Sequence, residues 1–255
     1  MELAVKRILV ALDPSRRGQS ALQAAAHLAA GTGAELAGLF VEDINLLRLA
    51  GLPFARELGM LAGSRALGLP DVERALRVEA TRAQRMLADA ARELQANWTF
   101  RIARGQMVVE VLADAADLLV MAKSERLVRF ASSRPQRRPA TPVFVLFDPG
   151  VVGYRILAAG LKLAQSLGVG LAVLIAARTP PEFEQRREAA LAWLGGKAVA
   201  AHTLWLAAPE PGELGALVRS GRGAALVLHE TSLPAARAAL DALLEAVECP
   251  LIVVR

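Results

Sequence analysis

Ile8-Leu9-Val10-Ala11-Leu12-Asp13-Pro14 is an apolar run of five residues closed by an acid and a proline. A run of that length with no alternating polar positions reads as a strand buried on both faces. The Asp-Pro step stops it, because proline lacks the N–H a ladder needs. Downstream, Leu22, Ala25, Ala26, Leu28 and Ala29 recur at helical spacing, and Gly31 and Gly33 supply the permissive backbone that ends the helix. Leu36–Val41 is a second apolar run. Strand, helix and strand in this order make one βαβ unit, whose right-handed crossover sets the two strands parallel.

The same unit occurs again. Shifted by 135 positions, Val10–Val41 falls on Val145–Ala176 without a gap, and 12 of the 32 positions are identical. Asp13, Pro14, Gly18, Leu22, Gly33 and Leu36 meet Asp148, Pro149, Gly153, Leu157, Gly168 and Leu171. Solenoid repeats are ~20–50 residues long, so so large an offset means duplication of a whole domain. The chain of 255 residues accommodates two domains of ordinary size, divided here as 1–138 and 139–255.

The remaining elements follow the same alternation. Asp71 is the expected cap of a helix carrying Leu76, Ala80, Ala83, Leu87, Ala91 and Leu94 on one face. Strand Trp98–Ala103, short helix Val108–Leu112 and strand Leu118–Met121 complete the first repeat. The second repeat reads as strand Val145–Phe147, helix 153–167, strand 171–176, helix 181–194, strand 201–206, helix 212–220, strand 224–228, helix 234–247 and strand 251–254. Alternating strands and helices require parallel sheets covered on both faces, so the fold class is α/β with two doubly wound, Rossmann-like domains.

Composition narrows the function classes. Hydrophobic residues make up 54% of the chain and charged residues 22%, enough apolar surface for a core. The single cysteine, Cys249, permits no intramolecular disulfide and suits a reducing, cytoplasmic setting. The longest uncharged apolar stretch, Leu163–Ala177, is too short to span a bilayer, which argues against a membrane protein. The net charge of +5 is local: residues 123–138 hold six basic residues against Glu125, and the flanking halves are each neutral. With only Phe130 available for stacking, this strip is a poor nucleic-acid binder and ranks third among the readings.

Three phrases carry a resemblance. Arg7-Ile8-Leu9-Val10-Ala11-Leu12-Asp13-Pro14-Ser15, Ala116-Asp117-Leu118-Leu119-Val120-Met121 and Glu248-Cys249-Pro250-Leu251-Ile252-Val253-Val254 resemble the universal stress protein family in its tandem form. The resemblance implies five-stranded domains of the adenine nucleotide alpha hydrolase type, with strand order 3-2-1-4-5. It also implies a ligand end at the carboxyl edge, where open α/β sheets bind at their switch point. By the same resemblance, a nucleotide site would comprise Asp13, Ser15, Val41, Ala122 and Lys123, with Asp148 in the second repeat.

The family's phosphate loop is missing. Nucleotide-binding members follow the fourth strand with spaced glycines, which let main-chain amides approach phosphates closely. Here those positions read Ala122-Lys123-Ser124-Glu125 and His229-Glu230-Thr231-Ser232, and no glycine occurs from 106 to 149 or from 224 to 255. The leading expectation is therefore a non-catalytic regulatory protein with a degenerate nucleotide site and no cofactor. It would act through protein partners, as a homodimer or an intrachain pseudo-dimer. The alternative retains ATP or AMP in the first domain. Lys123, Arg126 and Arg129, three apart, are the candidates for holding an anion by charge, against a plain solvated linker. His229 ends a strand beside Glu230, with no third metal-type ligand at the necessary spacing, which argues against a metal or a general base there.

Two features shape the architecture. The insert 44–70 has no counterpart in the second repeat. Its apolar stretch Ile44–Leu69 is expected to form a partly helical flap over the first ligand end, or a subunit contact, leaving one covered pocket and one open one. The stretch Thr141-Pro142-Val143-Phe144-Val145-Leu146-Phe147-Asp148 resembles both a domain end and a domain start. Used as a start, it leaves the first domain with four strands and an unpaired edge, which strand 251–254 or a partner subunit should cover.

Overall fold

The computed structural model describes residues 4–52, 56–59, 63–66, 68–123, 141–197, 199–232 and 236–255. In the first repeat, β1 (Arg7–Ala11), α1 (Arg16–Thr32) and β2 (Glu35–Asp43) form the opening unit, and α2 (Ile44–Ala50) follows β2 directly. A hairpin of β3 (Arg56–Gly59) and β4 (Gly63–Ala66) leads to α3 (Leu69–Glu93), β5 (Trp98–Gly105), α4 (Met107–Leu112) and β6 (Leu118–Met121). The second repeat runs β7 (Val143–Phe147), α5 (Val151–Leu167), β8 (Leu171–Ala176), α6 (Pro180–Leu194), β9 (Ala201–Leu206) and α7 (Pro211–Ser220). It ends with β10 (Ala225–His229), a 3-10 turn (Glu230–Ser232), α8 (Ala236–Ala246) and β11 (Leu251–Val254).

Nine strands form one sheet in the order β5-β2-β1-β6-β11-β10-β7-β8-β9. The second repeat has its five strands in the order 3-2-1-4-5. The first repeat supplies 3-2-1-4 from the described residues, and β11 lies against its fourth strand. That pairing is antiparallel, with Val120 opposite Ile252 and Leu118 opposite Val254, whereas β11 is parallel to β10. The C-terminal strand thus covers the exposed edge expected for the first repeat. The sheet is mixed at this one joint, where the expectation was of parallel pairing alone. Because the joint is antiparallel, the carboxyl ends of the two sets of strands face opposite ends of the sheet.

The duplication extends to register. Ile8 is opposite Leu36 as Val143 is opposite Leu171, and Val10 is opposite Val120 as Val145 is opposite Val227. Side chains alternate across the sheet, so each strand feeds two cores. Ile8, Val10, Val120, Val145, Val173, Val227 and Ile252 face the layer of α1, α2, α3, α5 and α6. Leu9, Leu119, Met121, Phe144, Leu174, Leu226 and Val253 face α4, α7 and α8. Each core runs without a break from the first repeat into the second.

Several boundaries differ from the sequence expectation for local reasons. The α3 helix is capped by the Gly68 backbone, not by Asp71, which lies in its first turn. The β2 strand continues to Asp43, whose Oδ1 accepts the Asn45 N–H at 2.8 Å and starts α2 at once. The β7 strand starts right after Pro142, where Val143 donates its N–H to the Gly170 carbonyl at 2.9 Å. The insert is a short helix plus a hairpin, with Leu47 and Ala50 buried in the core shared with α3.

Candidate functional site

The first ligand end lies where β1, β2 and β6 finish. Asp13 is 8% exposed, and it is the one polar residue in the buried set of described residues. Its Oδ1 accepts the Ser15 N–H at 2.7 Å, closing the turn from strand to helix. Capping of α1 falls to Ser15, whose Oγ accepts the Gly18 N–H at 3.1 Å. Gly18 is required by contact: a Cβ there would stand 2.1 Å from the Asp13 carbonyl oxygen. Val41 and Ala122 are buried at the ends of β2 and β6. Lys123 reaches Glu245 on α8 of the second repeat and forms an ion pair with it. Arg126 and Arg129 lie outside the described residues.

The second ligand end is built from equivalent positions and behaves differently. Gly150 occupies the place of Ser15 with φ of 145°, a conformation that favours glycine, and it gives α5 no side-chain cap. Asp148 does not repeat the turn bond of Asp13; its Oδ1 pairs with Arg186 Nη1 at 2.9 Å, and its side chain is 70% exposed. Arg186 is held on other sides by Glu182 Oε1 at 2.6 Å and by the Ala176 carbonyl at 2.6 Å. Around this pair opens a cleft of about 360 Å³, walled by Phe147, Val151, Val152, Pro209, Thr231 and Ser232 among others. Val151 and Val152 are exposed at its rim, where the first repeat has Arg16 and Arg17.

At the end of β10 the chain turns back at once. His229 Nδ1 accepts the Thr231 N–H at 3.1 Å and lies 2.8 Å from Thr231 Oγ1. Burial is the main cause that holds the imidazole below its ordinary pKa; Arg155 acts in the same sense and Glu230 against it. Glu230 pairs with Arg255 at 2.9 Å, and Arg255 in turn donates to the Leu112 carbonyl of the first repeat at 2.6 Å. Each strand end thus meets the other repeat: Lys123 pairs with Glu245, and Arg255 ties the His229 turn to the Leu112 carbonyl. Among the described residues, no cluster of three His, Cys, Asp or Glu could hold a metal ion. None of the described helices is long and apolar enough to cross a membrane.

No family model matches the sequence, and no curated protein matches it. Solved structures do match. The chain superposes on a universal stress protein from Archaeoglobus fulgidus with TM-score 0.58 and 12% identity, covering 100% of this chain and 97% of the other. The chain has the universal stress protein fold. A functionally unknown protein from Pseudomonas aeruginosa is similar at TM-score 0.54 and 14% identity, over 99% of this chain and 93% of that one. A second Pseudomonas aeruginosa protein, described as a universal stress protein, gives the same score and identity over 99% and 94%. The likeness spans both repeats, so the universal stress protein fold accounts for the whole described architecture.

Of the predicted positions, the structure brings Asp13, Ser15, Val41, Ala122 and Lys123 to one edge and puts Asp148 at the opposite edge. Sequence reasoning missed Arg186, which lies in the helix after β8 and gives no signal linking it to Asp148. It also missed the Ser15-to-Gly150 exchange, which was visible in the repeat alignment.

Proposed function

We propose that the chain is a tandem universal stress protein: a non-catalytic regulatory protein that acts by binding partners, each repeat keeping only a degenerate nucleotide site. The two domains would divide at 138/139. The supporting observation is that no glycine follows either fourth strand in the sequence, and that the described residues at each strand end are already engaged. β6 ends in buried Ala122 and in Lys123, which Glu245 neutralises. β10 ends in a turn closed on His229. A polyphosphate needs an open row of main-chain amides at such an end, and a side chain at each position takes up the space where its oxygens would lie.

The cleft beside Asp148 favours a second reading, in which ATP or AMP binds in the second repeat and not in the first. Equilibrium titration with a fluorescent ATP analogue separates the two. The proposal predicts no saturable binding in the micromolar range for the native protein. Micromolar affinity abolished by Asp148→Ala would establish the second reading, and affinity abolished by Asp13→Ala would return the nucleotide to the first repeat.

A further inference from the structure

His229 and Thr231 are hydrogen-bonded at the wall of the second-repeat cleft. The ring sits at the carboxyl end of β10, paired in register with Val254 of β11. Two groups from Thr231 converge on Nδ1, its main-chain N–H at 3.1 Å and its hydroxyl at 2.8 Å. A main-chain N–H can only donate, so Nδ1 must offer its lone pair and the proton must reside on Nε2. Thr231 and the next residue, Ser232, line the cleft beside Asp148. The neutral imidazole is therefore one of the groups that hold the turn forming this wall.

We propose that His229 is an acid-sensitive latch on the wall of the second-repeat cleft, closed while the ring is neutral and released when Nδ1 is protonated. A proton on Nδ1 deprives the Thr231 amide of its acceptor. The hydroxyl contact survives by reversing, since the oxygen can then accept from Nδ1–H. The turn consequently loses one bond and keeps the other, and it re-forms around Thr231 without unfolding. The charged groups facing the ring are Glu230 in its own turn and Arg155 on α5, which act in opposite senses. Arg255 also pairs with Glu230 at 2.9 Å, and it tethers the turn to the first repeat through the Leu112 carbonyl.

The latch regulates the cleft on which the second reading rests, but its test needs no ligand, so failure of one leaves the other standing. Long-range proton–nitrogen NMR of the full chain with labelled histidine reads tautomer and titration for His27, His202 and His229. Sequential backbone assignment identifies them, and His229→Gln provides a check. The expected result is an Nε2–H tautomer for His229 at pH 7, a midpoint below that of an ordinary histidine, and a Thr231 amide shift that follows the same curve. In Glu230→Gln the midpoint should fall further, because the one group favouring the cation is gone. An Nδ1–H tautomer at pH 7, or a Thr231 amide that ignores the His229 titration, would overturn the proposal.

Discussion

Replacing Ile252 by alanine tests how far the two repeats depend on one strand. Ile252 is 0% exposed and sits at the centre of β11, opposite Val120 on one side and Val227 on the other. Its side chain belongs to the core that runs beneath both repeats. Truncating a fully buried isoleucine to alanine costs about 2–5 kcal/mol, from lost burial and the cavity left behind. At roughly 2–4 °C per kcal/mol for a chain of this size, a loss of about 3 kcal/mol lowers Tm by roughly 6–12 °C. The assay uses the three tryptophans as reporters: Trp98 lies in the first repeat, Trp193 and Trp205 in the second. With Trp98→Phe only the second repeat reports, and with Trp193→Phe/Trp205→Phe only the first does. If β11 serves both repeats, Ile252→Ala moves both transitions by the same amount and they stay coincident. A first-repeat transition that stays in place while the second moves would refute the shared strand.

Two more outcomes follow from particular residues. Gly153→Ala should lose several degrees of Tm, because its Cβ would stand 1.8 Å from the Asp148 carbonyl oxygen, and Gly18→Ala should do the same against Asp13; thermal unfolding followed by circular dichroism checks both. The Cys249 thiol is buried and pushed up to about 12, so a colourimetric thiol reagent at pH 8 should react only after denaturant is added. The stability linked to that shift is complete below the unfolded thiol's ordinary value and is lost as pH rises toward about 12, which a denaturation midpoint falling across the alkaline range would show.

Strands Leu118–Met121 and 251–254 were legible to the residue, because a short apolar run bounded by polar or proline residues has few other readings. The shared edge was legible from Thr141–Asp148 alone: one stretch cannot end one domain and begin the next. Much of the site was not, since the partners that decide it come from distant parts of the chain. Asp13 and Asp148 are the same residue in the repeat alignment, yet one closes a turn on Ser15 and the other pairs with Arg186. The alignment shows the Ser15-to-Gly150 exchange that deprives the second helix of its cap, but the location of Arg186 is tertiary information. Lys123 read as a free cation because Glu245 belongs to the other repeat.

The central claim is that neither glycine-free strand end can seat a triphosphate, and native mass spectrometry of the full chain, before and after incubation with ATP, tests it most directly. The account predicts the same mass in both spectra, with nothing added to the 27.0 kDa of each chain. A stoichiometric nucleotide adduct that persists through buffer exchange and vanishes in Asp148→Ala would contradict it.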